Sequence, residues 1–196
     1  PREAFVVAGV PNNKYGELEK SVSDFQKIYK AEFSKVEPDL SFTVSKIAEP
    51  TSVMDKTSQW ALIRSVFGCP NGVVRLSDSM PGLVETSNNL ASVDTDNGII
   101  SIKNLLRSSV DTAKEALGHA VSGTFELAGA EVVLEGAYPG WKPNMESAIL
   151  KSCREMYKEM YGNLPEIKAI HAGLECGLLG AVYPNWDMIS FGPTIR

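Results

Sequence analysis

Asn97-Gly98 constrains what this chain can fold into more than any other pair of residues in it. Both central positions of a type I′ turn need positive φ, and Asn-Gly meets that need with little strain. The pair lies between two apolar stretches, Leu83 to Val93 and Ile99 to Leu106. A two-residue loop between such stretches predicts an antiparallel hairpin, with the register set by the turn. The chain therefore contains a sheet, and the other elements must cover one of its faces.

Helical spacing supplies candidates for that cover. Leu18, Val22, Phe25 and Tyr29 recur at i, i+4, i+7 and i+11, which places them on one helix face. A second helix is predicted over Asp55 to Phe67, with Ala61, Leu62, Val66 and Phe67 inward and Gly68 and Pro70 closing it. A third spans Val110 to Leu127, with Val110, Ala113, Leu117, Ala120 and Val121 on one side. A fourth runs from a capping Asn144 to Tyr161 with Met145, Ile149, Cys153, Met156 and Met160 inward, and Gly162 and Pro165 stop it. The short apolar run Ala4–Val10 predicts a strand, as does Ser41–Ile47, where Phe42, Val44 and Lys46 alternate against Thr43, Ser45 and Ile47; Glu131–Leu134, Ile167–His171 and Met188–Phe191 also read as strands, whereas Asn71 to Gly82 reads as loop. Strand, helix, strand occurs at 4–48 and again at 99–136, a pattern that fits either a duplicated α/β unit or coincidence.

Composition excludes several classes of function. Net charge is −5, and no basic run or basic amphipathic helix is present, so neither nucleic acid nor a membrane surface is an expected partner. No apolar stretch approaches the roughly 20 residues that a bilayer requires. Cys69, Cys153 and Cys176 show no CxxC spacing, which fits a reducing, cytoplasmic compartment. Pro1 is not an initiator Met, and strand-like segments run straight to both termini, so the chain reads as part of a longer polypeptide.

Few residues advertise chemistry. His119 sits within a predicted helix and His171 on another element, and neither shows zinc-ligand spacing. The densest polar cluster is His171-Ala-Gly-Leu-Glu-Cys-Gly177. Its glycines let a ligand approach the backbone closely. Cys176 and His171 suit a nucleophile pair, or Cys176 is inert and buried. Glu175, a carboxylate in a turn, suits a substrate ammonium. Arg107 closes an apolar strand, where its planar fork suits a carboxylate or merely a surface ion pair.

Several longer strings point further. They are Pro70-Asn-Gly-Val73, Val84-Glu-Thr-Ser87, Gly136-Ala-Tyr-Pro-Gly-Trp-Lys-Pro143, Ile170-His-Ala-Gly-Leu-Glu-Cys-Gly-Leu178 and Asp187-Met-Ile-Ser-Phe-Gly-Pro-Thr-Ile195. In this order they resemble the aminoacyl-histidine dipeptidases of the M20 metallopeptidases, over essentially the whole chain. The resemblance implies an α/β (α+β) fold, with residues 1–142 a ferredoxin-like lid and dimerisation domain and 143–196 a returning segment of the catalytic domain. It implies a parent that hydrolyses Xaa-His and related dipeptides with two zinc ions, whose ligands lie before Pro1 and after Arg196. It assigns no catalytic residue and no metal ligand to this chain. Arg107 matches the lid arginine that grips the substrate carboxylate, and Gly173 a substrate-contacting backbone position; Glu175 is a further substrate-binding candidate. A homodimer through the lid is implied, and the isolated chain is expected to be inactive. The alternative is a binding or dimerisation module without turnover.

Overall fold

The computed structural model describes residues 3–142, 144–168 and 174–192. The chain divides into two units, Pro1–Asp55 and Lys56–Arg196.

In the first unit, helix α1 (Tyr15–Glu32) forms where the apolar spacing predicts it. Leu18 and Val22 are half-buried, whereas Phe25 and Tyr29 remain exposed. An aromatic row runs down its last turns: Phe25 to Tyr29 at 6.3 Å and Tyr29 to Phe33 at 6.2 Å between ring centroids. Phe42 adds a tilted contact with Tyr29 at 5.8 Å, and its N–H donates to Gln26 Oε1 at 2.6 Å. Residues 41–47 are extended against α1, with Phe42 and Val44 half-buried and Thr43 and Ser45 exposed. The predicted alternation therefore holds through Ser45 and ends at Lys46, which is exposed, and neither this segment nor 4–10 forms a ladder among the described residues. A strand needs a hydrogen-bonded neighbour as well as a suitable pattern, and Phe5 and Val6 stand 87% and 88% exposed.

The second unit holds helix α2 (Lys56–Gly68) and strands β1 (Gly72–Leu76), β2 (Val84–Asp96) and β3 (Ile99–Ser108). The strands pair antiparallel in the order β1-β2-β3. Asn97 and Gly98 take φ of 48° and 79°, as the type I′ turn requires, and Asp96 pairs with Ile99. β1 corrects the reading of 71–82 as loop. Its brevity and flanking Gly and Pro conceal it in the sequence, and pairing with β2 makes it a strand. Asn88 secures this edge from a nearly fully buried position, donating to the Pro70 carbonyl at 2.7 Å and to Asn104 Oδ1 at 2.9 Å.

Helix α3 (Asp111–Leu127) covers one face of the sheet. Leu117, Val121 and Phe125 join Cys69 in the core, with Leu90, Ile102, Leu106 and Val132 packed against them. Ala120 was expected inward but is exposed, and Gly118, Ser122 and Phe125 fill that face instead. Phe67 is likewise outward at 88% exposure, while Ser65 occupies the buried position of α2. Residues 131–134 pack through Val132 without a ladder. Helix α4 (Ala148–Tyr161) begins later than predicted, because Ser147 Oγ caps it by accepting the Leu150 N–H at 3.1 Å. Asn144 instead holds the preceding turn through the Glu146 N–H. Gly162 ends α4 in the left-handed region, as expected. The predicted inner stripe of α4 is largely open, with Met156 and Met160 exposed. Helix α5 (Glu175–Val182) follows. Residues 188–191 form no strand, and the predicted strand 167–171 lies partly outside the described residues. The architecture is a mixed α/β one, with helices and an antiparallel sheet.

Candidate functional site

The alternation of β3 decides where Arg107 points. Ile100, Ile102, Asn104 and Leu106 are half-buried on the α3 side, while Ser101, Lys103, Leu105 and Arg107 are exposed on the other. Arg107 is thus displayed on the uncovered sheet face, opposite Ser87 of β2. Its guanidinium has no hydrogen bond or ion pair among the described residues and so has its full set of donors available.

The backbone that carries Arg107 is held firmly. The next residue, Ser108, is buried, and its hydroxyl lies 2.8 Å from Thr86 Oγ1 and 3.0 Å from the Val110 N–H it accepts. The Ser109 N–H donates to the Glu85 carbonyl at 3.2 Å. Glu85 is itself buried and ion-paired with Arg75. The strand therefore ends in a polar lock rather than a frayed tip.

Beyond the lock lies a cleft of about 570 Å3, whose lining includes Asp111, Gly140, Trp141, Gly177, Trp186 and Asp187. Asp111 opens α3 and accepts the Gly140 N–H at 2.9 Å and the Lys114 ammonium at 2.8 Å. Lys114 also donates to the Tyr138 carbonyl and lies 5.9 Å from the Tyr138 ring. The Lys114 ammonium, helped by the Gly140 N–H, holds the Asp111 carboxyl below the usual carboxylate range. On the far wall, Tyr183 stacks on Trp186 at 4.2 Å. Asp187 accepts the Ile149 N–H at 3.0 Å, and hydrogen bonds from Ser147 and the start of α4 lower its pKa.

Glu175 is exposed at the first position of α5, which corrects its reading as a turn residue. The run Cys-Gly-Leu-Leu-Gly-Ala-Val behind it is apolar and forms a helix, and a carboxylate in a first turn is favoured by the helix dipole. Cys176 is buried in the same turn. Gly173 and His171 lie outside the described residues, and with them the proposed Cys176–His171 pair. His119 is exposed on α3. Among the described residues, no three His, Cys, Asp or Glu side chains converge. Sequence reasoning missed Asp111 and Gly140. The nearest signal was the aromatic, Gly- and Pro-rich run Tyr138 to Trp141.

No protein-family model matches the chain. It is 38% identical over 195 residues to the cytosol non-specific dipeptidase of Escherichia coli (strain K12), an alignment covering 100% of this chain and 40% of that protein. It superimposes on the crystal structure of aminoacylhistidine dipeptidase from Vibrio alginolyticus with a TM-score of 0.88 and 38% identity, covering 95% of this chain and 38% of that one. The chain thus spans about two-fifths of the length of the relatives it matches. The resemblance read from its motifs thus extends over the whole chain in sequence and over 95% of it in fold, and the chain is similar to these dipeptidases throughout that span.

Proposed function

We propose that this chain is the substrate-gripping part of a cytoplasmic M20-type metallopeptidase that hydrolyses Xaa-His and related dipeptides. The observation that carries the reading is Arg107, an unpaired guanidinium on a locked strand end within a chain that matches dipeptidases over its full length. Its fork meets a substrate carboxylate with two parallel hydrogen bonds, a geometry a lysine cannot reproduce. Gly173 contributes a backbone contact, and Glu175 an acceptor for a substrate ammonium. In this reading residues 1–142 form the lid, which also pairs two protomers, and residues 143–196 return to the catalytic domain.

The described residues do not fit a zinc centre, because no suitable donor set converges. In this reading the two zinc ions belong to parts of the parent outside the chain, and the role of the chain's own residues is to bind and orient the dipeptide. The reading is tested in the full-length protein by steady-state kinetics. Arg107→Ala is expected to lower kcat/KM for dipeptides by roughly 30- to 1000-fold, the range for removing one partner of a hydrogen-bonded charge pair. Zinc content should be unchanged. Near wild-type efficiency with normal zinc would reject the carboxylate grip.

A further inference from the structure

The geometry points to Gly140, Gly177 and Asp111 as positioning residues that set how Arg107 meets the substrate carboxylate. This inference rests on the role proposed for Arg107 above.

Two glycine contacts carry it. A methyl group at Gly140 would lie 2.8 Å from the Ser109 carbonyl carbon and 2.9 Å from the carbonyl oxygens of Ser108 and Ser109. A methyl group at Gly177 would lie 2.6 Å from the Pro139 carbonyl oxygen and 3.3 Å from that of Gly140. In both cases the neighbour is backbone, which cannot swing aside as a side chain can. Neither glycine takes positive φ, so close approach is what these positions require. The result is three layers of main chain in direct contact: α5 on the 139–140 segment, and that segment on residues 108–109, next to Arg107.

Asp111 fixes the middle layer. One carboxylate oxygen receives the Gly140 N–H and the Lys114 ammonium, and Lys114 also reaches the Tyr138 carbonyl. The segment is thereby tied to the first residue of α3, three residues after Ser108. Displacement of α5 or of this segment passes to the end of β3 with no side chain between to absorb it. A bidentate grip depends on angle as well as distance, and misplacement by about 1 Å can cost roughly 100-fold.

The discriminating quantity is the preference for a free carboxylate. In the full-length protein, kcat/KM is measured for a dipeptide and for the same dipeptide as its C-terminal amide. The ratio of the two is independent of the fraction of enzyme correctly folded. Arg107→Ala is expected to bring the ratio close to that of an enzyme with no carboxylate preference. Gly177→Ala and Asp111→Ala are each expected to reduce it by about tenfold or more. Asp111→Asn keeps an oxygen acceptor for the Gly140 N–H and should retain most of the preference. If Arg107→Ala abolishes the preference while Gly177→Ala and Asp111→Ala leave it at the wild-type value, the positioning role is overturned and the Arg107 reading stands. If Arg107→Ala leaves the ratio unchanged, the Arg107 reading falls, and the positioning role falls with it.

Discussion

Arg107 and Asp111 stand four positions apart and use their charges in opposite ways. Arg107 is exposed and unpaired, so its charge is available to a ligand. Asp111 spends its charge on Lys114 and the Gly140 N–H. Because Asp111 has a folded pKa below its unfolded value near 3.9, its contribution is fully present above that value and is lost as pH falls through the folded pKa. Acidification below about pH 4 should therefore loosen the Tyr138–Trp141 segment. Emission from Trp141, with Trp60 and Trp186 replaced by phenylalanine, would follow the transition, and Asp111→Asn should remove its Asp111-dependent part. A transition of the same size in that variant would show that other carboxylates govern the segment. Arg107→Lys tests shape against charge. It should recover only part of the activity lost in Arg107→Ala, since the ammonium lacks the fork.

Among the elements, the hairpin depends most on one local requirement. Gly98 takes φ of 79°, a region that costs an L-residue roughly 1–2 kcal/mol. Gly98→Ala should lower stability by about that amount in urea unfolding, and a change below a few tenths of a kcal/mol would mean the turn relaxes into another type. Helix α3 is fixed by packing instead. Phe125 is 5% exposed within the small cluster of Leu117, Val121 and Cys69. Phe125→Ala should cost roughly 3–5 kcal/mol, a large share of a typical domain's stability. Ser147→Ala removes a formed cap from α4 and should cost about 1 kcal/mol, whereas Asn144→Ala should leave α4 nearly unchanged.

Much apolar surface in the molecule is uncovered. Val73, Val74 and Leu76 on the edge strand β1 are about half exposed or more, and Phe5, Phe67 and Leu127 nearly fully so. Unpaired edges and apolar surface of this kind favour association with other chains. Self-association of the chain, rising across micromolar concentrations in light scattering, is the expected outcome; a strict monomer throughout would argue against the proposed lid dimer. No helix is long and apolar enough to cross a membrane among the described residues. The described residues also bring no metal-ligand set together. Elemental analysis after dialysis should find no stoichiometric zinc in this chain, and tightly bound zinc at one equivalent would overturn that.

What was legible in the sequence is what short-range chemistry decides. Asn97-Gly98 marked the turn, 3.6-residue spacing marked α1, α2 and α3, and Gly162 marked the end of α4. Arg107 was legible as a strand-end residue because it closes the apolar run Ile99 to Leu106, and the alternating burial along β3 then settles which face it takes. Pairing was less visible. β1 became a strand only through β2, while 4–10, 41–47 and 131–134 carried strand-like sequence and found no ladder among the described residues. Which face of a helix is buried also waited on its neighbours, so Ala120 and Phe67 turned outward. The glycine contacts lay furthest from view. Gly140 and Gly177 are 37 positions apart, and their need to lack a side chain exists only because folding brings backbone against backbone there. Local patterns fix turns and helices because their hydrogen bonds close within a few residues. Strand pairing and close packing join residues far apart in the chain, and only the tertiary structure decides those.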